Sequence, residues 1–154
     1  MKIGVITDCF KKTHKDGIET ASRLGLDGVQ IYATTGEFSP ALSLEEKDEY
    51  KRLLQENNLV VSALCGDMGG YGFEIEADNA ERIAKTKANI DLAVEFGTKV
   101  VTTHIGVIPS EKTHPRYEIM LSALTECGLY AKSKGVTLAI ETGPEKAKTL
   151  LAFI

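Results

Sequence analysis

The sequence predicts an α/β fold of parallel strands alternating with helices, on three observations. Short apolar runs rich in β-branched residues begin near residues 2, 28, 59, 99 and 136, a repeat of about 33 residues, the length of one βα unit with its crossover. Between them lie stretches with helical apolar spacing. Three of the helix-to-strand junctions share a punctuation, a glycine at 25, 97 or 135 followed by a strand, as expected of helix ends closed in the left-handed conformation.

Taken in order, Lys2–Thr7 is an apolar strand ending at Asp8, Cys9 and Phe10, with a polar loop over Lys11–His14. Ile18–Leu24 is a helix, and Gly28–Ala33 a strand with Val29 and Ile31 on one face and Gln30 and Tyr32 on the other. Thr34–Leu42 is a loop. Ser43 and Glu46 form a capping box for a helix through Leu53 and Leu54. Leu59–Leu64 is the third strand, opening into the glycine-rich run Cys65-Gly66-Asp67-Met68-Gly69-Gly70-Tyr71-Gly72-Phe73. That run has no Gly-x-Gly-x-x-Gly or Walker spacing, so it reads as a loop over a site or a plain connection, not as a phosphate cradle. Asp78 is the expected cap of a long helix ending at Gly97, and Lys99–His104 is the fourth strand. Met120, Leu121, Leu124, Cys127 and Ala131 fall at helical spacing before Gly135. The fifth strand runs from Val136 to Ile140, meets Glu141, and stops at Gly143-Pro144.

Two architectures accommodate five such units. A doubly wound open sheet, flavodoxin-like, would be complete at about 150 residues. An eightfold barrel takes about 250, and the apolar end Leu150-Leu151-Ala152-Phe153-Ile154, without a cap, favours the first five βα units of a barrel. The expectation is one domain over 1–154, incomplete at its C-terminus.

Composition narrows the function. The 154 residues carry a net charge of -4 with 43% hydrophobic and 26% charged residues, an ordinary globular balance without a basic stripe for nucleic acid or anionic membrane. No run approaches the ~20 apolar residues of a membrane span, and the N-terminus opens on a strand instead of a signal peptide, so the expected location is cytoplasmic. Cys9, Cys65 and Cys127, without Cys-x-x-Cys spacing, read as reduced thiols and small hydrophobes.

In alternating βα folds ligands bind at the carboxyl ends of the strands. Glu141 stands there, although position alone fits a solvated strand end equally. His104, at the end of strand four, reads as a ligand or as a hydrogen-bonded strand end. Asp67, Gln30 and Tyr32 are pocket candidates by strand-end position. Glu145, just inside the expected fifth helix, would touch substrate or stabilise the helix dipole. His14 and His114 lie in polar loops and read as solvated.

Arg82-Ile83-Ala84, Ile90-Asp91-Leu92-Ala93, Phe96-Gly97, Val100-Val101-Thr102-Thr103-His104-Ile105-Gly106 and Leu138-Ala139-Ile140-Glu141-Thr142-Gly143 together resemble the sugar phosphate isomerase/epimerase superfamily, with its xylose isomerase-like TIM barrel. Ketose 3-epimerases, hydroxypyruvate isomerase, inosose dehydratase and endonuclease IV belong to it. The resemblance implies a metal-dependent isomerase, epimerase or dehydratase acting on a sugar, sugar phosphate or sugar acid through an enediolate. It implies Glu141 as metal ligand and acid-base residue, His104 as substrate or metal contact, and a divalent cofactor such as Mn, Co, Mg or Zn. Where endonuclease IV-like proteins carry a metal-binding histidine after strand three, this chain has Cys65-Gly66-Asp67, which lowers the DNA-repair reading. The family's ligands on strands six to eight would lie beyond Ile154. A small-molecule carbohydrate is thus the expected partner, with homo-oligomer formation possible through exposed sheet edges. The competing reading is a non-catalytic flavodoxin-like binding or regulatory module, a receiver-like version of which Asp8 and Asp67 only loosely mimic.

Overall fold

A computed structural model describes all residues except Thr35 and Thr142, one in the predicted Thr34–Leu42 loop and one after Glu141. Five strands, β1 (Gly4–Ile6), β2 (Gly28–Tyr32), β3 (Val60–Cys65), β4 (Val100–Thr103) and β5 (Thr137–Ile140), alternate among the described residues with five α-helices, and a 3-10 turn over Thr7–Phe10 follows β1. These are α1 (His14–Arg23), α2 (Leu44–Glu56), α3 (Glu76–Glu95), α4 (Pro115–Ser133) and α5 (Ala147–Phe153). All strand pairs are parallel, and the sheet order is β1-β2-β3-β4-β5.

That order decides the architecture. Parallel crossovers are right-handed, so steps taken always in one direction put every helix on the same face. A doubly wound sheet must reverse direction, as in the order 2-1-3-4-5. There is no reversal here, which overturns the open flavodoxin-like sheet, and the receiver-like reading falls with it. The chain is the first five βα units of a TIM-type barrel.

The core lies between sheet and helices. Val29, Ile31, Val61, Leu64 and Val101 point outward and are buried against Ile18 and Ala21 of α1, Tyr50 and Leu54 of α2, and Ile90 and Ala93 of α3. Phe38, fully buried, stands edge-on to Tyr50 and Phe96, 5.0 and 4.8 Å between ring centres. The opposite face is small and polar. Gln30 pairs in register with Ala63, Tyr32 with Cys65, and Cys65 in turn with Thr102. Over the small Ala63, Gln30 Nε2 reaches across β3 to donate to Thr102 Oγ1 at 2.9 Å.

Two local expectations are corrected. The long helix starts at Glu76 with Ile75 as an N-cap lacking a side-chain bond, so Asp78 is a first-turn residue and not the cap. The loop before it is pinned by tertiary contacts, which set the helix entry. Glu145 lies ahead of α5 instead of inside it. The capping box of Ser43 and Glu46 forms as expected.

Candidate functional site

The register of β4 and β5 builds the site. Thr103 pairs with Ile140, and the Glu141 N–H donates to the Thr103 carbonyl at 2.9 Å. This carries the ladder one residue past β5 and sets Glu141 beside His104. His104 Nε2 and Glu141 Oε2 are 3.8 Å apart. On its other side, His104 Nδ1 is 3.0 Å from Asp67 Oδ2. Asp67 belongs to the glycine-rich loop after β3, where its Oδ1 accepts the Gly69 N–H at 2.9 Å. The imidazole therefore stands between two carboxylates delivered by neighbouring units, at the carboxyl ends of the strands.

Tyr32, at the end of β2, faces the same region. Its phenol is pushed up to about 12, first by charge repulsion from the neighbouring Cys65 and a side-chain hydrogen bond to it, then by burial and by the Asp67 and Glu141 carboxylates. It stays protonated, and so able to donate a hydrogen bond, across the neutral range. Of the candidate residues, Glu141, His104, Asp67 and Tyr32 thus converge. Glu145 accepts the Gly143 N–H at Oε1, 3.0 Å away. Gln30 belongs to the inner wall through Thr102.

The glycine-rich loop is held down by its neighbour. Phe73 N–H donates to the Ile105 carbonyl at 2.9 Å, the Val107 N–H donates to Glu74 Oε1 at 2.8 Å, and Glu74 Oε2 pairs with Arg116. Gly72, at φ 57°, lies so close to the Ile105 and Gly106 backbone that no side chain fits. Nothing local in the sequence indicated this clamp, because its partners are about thirty to forty residues apart. Cys65 as the neighbour of Tyr32 was equally hidden.

The remaining expected residues divide. His14, read as solvated, has a side chain only 11% exposed, its Nδ1 3.0 Å from Thr7 Oγ1 and its ring edge-on to Phe38. The fold of the β1 end covers it. His114 is exposed and caps α4, accepting from the Arg116 N–H. Cys65 and Cys127 are buried and Cys9 is exposed; burial pushes the Cys127 thiol up to about 11, where it packs as a hydrophobe.

As metal donors, Glu141 and His104 would supply one carboxylate and one imidazole, a set suited to Mn, Co, Mg or Zn. Two bonds of about 2.1 Å can bridge a gap such as theirs. The fit is partial, since among the described residues no group of three His, Cys, Asp or Glu side chains could hold a metal ion.

Parallel units in sequential order with helices on one face define a TIM-barrel scaffold. A family model for the xylose isomerase-like TIM barrel matches residues 18–151, and the chain belongs to that family. No curated protein matches it. Among solved structures, a xylose isomerase domain protein from Planctomyces limnophilus is similar over 98% of this chain and 57% of its own, at 24% identity and a TM-score of 0.82. A xylose isomerase-like TIM barrel protein from Mycobacterium smegmatis, in complex with magnesium, is similar over 99% and 60%, at 19% identity and TM-score 0.72. A D-tagatose 3-epimerase-like protein is similar over 100% and 60%, at 18% identity and TM-score 0.79. The chain therefore spans less than two thirds of the length of these neighbours. Among the described residues no helix is long and apolar enough to cross a membrane.

Proposed function

We propose that this chain carries the acid-base edge of a metal-assisted isomerase, epimerase or dehydratase acting on a sugar, sugar phosphate or sugar acid. The observation that carries the reading is the pair at the rim, Glu141 Oε2 and His104 Nε2 at 3.8 Å with both side chains about half exposed. Proton transfer next to a carbonyl needs a base within hydrogen-bond reach of the carbon acid. Glu141 is that base, its carboxylate projecting past the end of β5. His104 offers its Nε2 to a substrate hydroxyl or to the cation. The Tyr32 phenol, held protonated, donates to an oxygen of the bound carbohydrate. A divalent cation bound by Glu141 and His104 would supply charge stabilisation to the oxygen that becomes negative.

The test is Mn²⁺ titration followed by NMR. Paramagnetic broadening of the His104 ring signals is expected at low metal occupancy, and Glu141→Gln is expected to abolish it while the rest of the spectrum stays folded. Broadening that is absent in the wild type, or that persists unchanged in Glu141→Gln, would remove the metal-assisted reading. Addition of a ketose should then alter the broadening, which separates a carbohydrate site from a bare metal site.

A further inference from the structure

We propose that Asp67 is a positioning residue that fixes the tautomer of His104 and so turns the Nε2 lone pair toward the rim. The inference rests on the reading of Glu141 and His104 as the working edge, and it gives Asp67 a role other than the substrate contact expected from its strand-end position.

Both oxygens of Asp67 are engaged within the protein. Oδ1 accepts the Gly69 N–H at 2.9 Å and Oδ2 lies 3.0 Å from His104 Nδ1. The Asp67 side chain is 20% exposed against 47% for His104 and 59% for Glu141, so of the two carboxylates flanking the imidazole it is the more shielded from solvent. Its loop is tied down as well, with Arg82 donating from Nη1 to the Gly69 carbonyl at 3.2 Å. An ionised carboxylate only accepts hydrogen bonds. The proton must therefore sit on Nδ1, and in the neutral ring Nε2 is left with its lone pair. At 3.8 Å from Glu141 Oε2, that lone pair makes no hydrogen bond with the second carboxylate. Two acceptors thus face each other across a gap that a hydroxyl proton or a cation would fill. Carboxylates behind ligating imidazoles act in this way generally, fixing both ring orientation and basicity.

Asp67→Asn gives a sharp test because of the second bond. The Gly69 N–H still needs an acceptor, so the asparagine keeps its carbonyl oxygen there and turns its NH₂ toward Nδ1. That ring nitrogen must then accept, which moves the proton to Nε2. Long-range ¹H–¹⁵N correlation spectra recorded where the imidazole is neutral report the tautomer directly. The expected result is an Nδ1–H ring in the wild type and an Nε2–H ring in Asp67→Asn, with the loop resonances of Gly69 unmoved. With Nε2 blocked, Mn²⁺ broadening of the ring should require about tenfold more metal. A wild-type Nε2–H ring, or an Nδ1–H ring that survives in Asp67→Asn, would overturn the assignment. The two readings fail separately: a tautomer switch without Mn²⁺ binding leaves Asp67 in its role and removes the metal, whereas binding without a switch does the reverse.

Discussion

At the scale of single residues, burial and neighbouring charge set what the polar groups can do. Tyr50 is 2% exposed and donates to the Glu37 carbonyl at 3.3 Å. Burial, then Glu37, Glu49 and Glu46, raise its phenol from 10.0 to about 12. Below pH 10 the phenol is protonated in the folded and unfolded chain alike, and its contribution is complete. Between pH 10 and about 12 the unfolded chain releases the proton and the folded one holds it, so stability falls as pH rises. Tyr50→Phe should cost about 1 kcal/mol below pH 10, from the lost hydrogen bond, and should lose less than the wild type above it. Urea midpoints on either side of pH 10 measure both effects; parallel losses in the two proteins would contradict the burial argument. Residues whose place follows from strand position, Glu141 and His104, were legible in the sequence as neighbours at the strand ends. Asp67 was legible as a pocket candidate, but its engagement with His104, 37 residues away, depends on the path of a loop. His14 was misread for the same reason, since its cover comes from Thr7 and Phe38.

At the scale of elements, legibility tracked how local the determining contacts are. Ser43 and Glu46 make a reciprocal pair three residues apart, and the helix starts where they say. The start of α3 is set instead by the clamp of Phe73 and Glu74 on the next loop, and Asp78 could not announce it. Alternation placed Val29 and Ile31 on the core face, while the slip in register between β2 and β3 after Val29 has no local signature. Ser62 marks the slip, donating from its hydroxyl to the Val29 carbonyl at 3.0 Å. The clamp has a direct test. Gly72→Ala must place a Cβ against the Ile105 backbone and hold a positive φ. Left-handed backbone alone costs about 1–2 kcal/mol for a residue with a side chain, and the clash adds to it. A loss of at least ~2 kcal/mol in the denaturant midpoint is expected, with new mobility in residues 66–75 by hydrogen exchange. A variant as stable as the wild type would mean that the two loops are not locked together.

At the scale of the whole molecule, β1 and β5 each pair with one strand only among the described residues. Beside β5, Leu121, Leu129, Leu138, Ile140, Phe153 and Ile154 line an open groove of about 360 Å³. Unpaired strand edges and apolar surface both favour association. The weight-average mass in sedimentation equilibrium is expected to rise with concentration, and a constant monomer mass over the range studied would count against it. The repeat length made the barrel legible, because a βα unit has a physical size that five evenly spaced strands reveal. The choice against an open sheet rested in the sequence on an apolar tail; in the structure it rests on strand order.

That order has a consequence for how the molecule comes into being. Each of β2 to β5 docks on the strand synthesised just before it, so the four pairings of the described sheet are all between consecutive units. Closure entropy is met in instalments of one crossover each, and the polypeptide can assemble vectorially as it leaves the ribosome, one βα unit at a time. Of the described strands β5, which leads into Glu141, is made after the four that precede it, so Glu141 meets His104 on a β4 that is already in place.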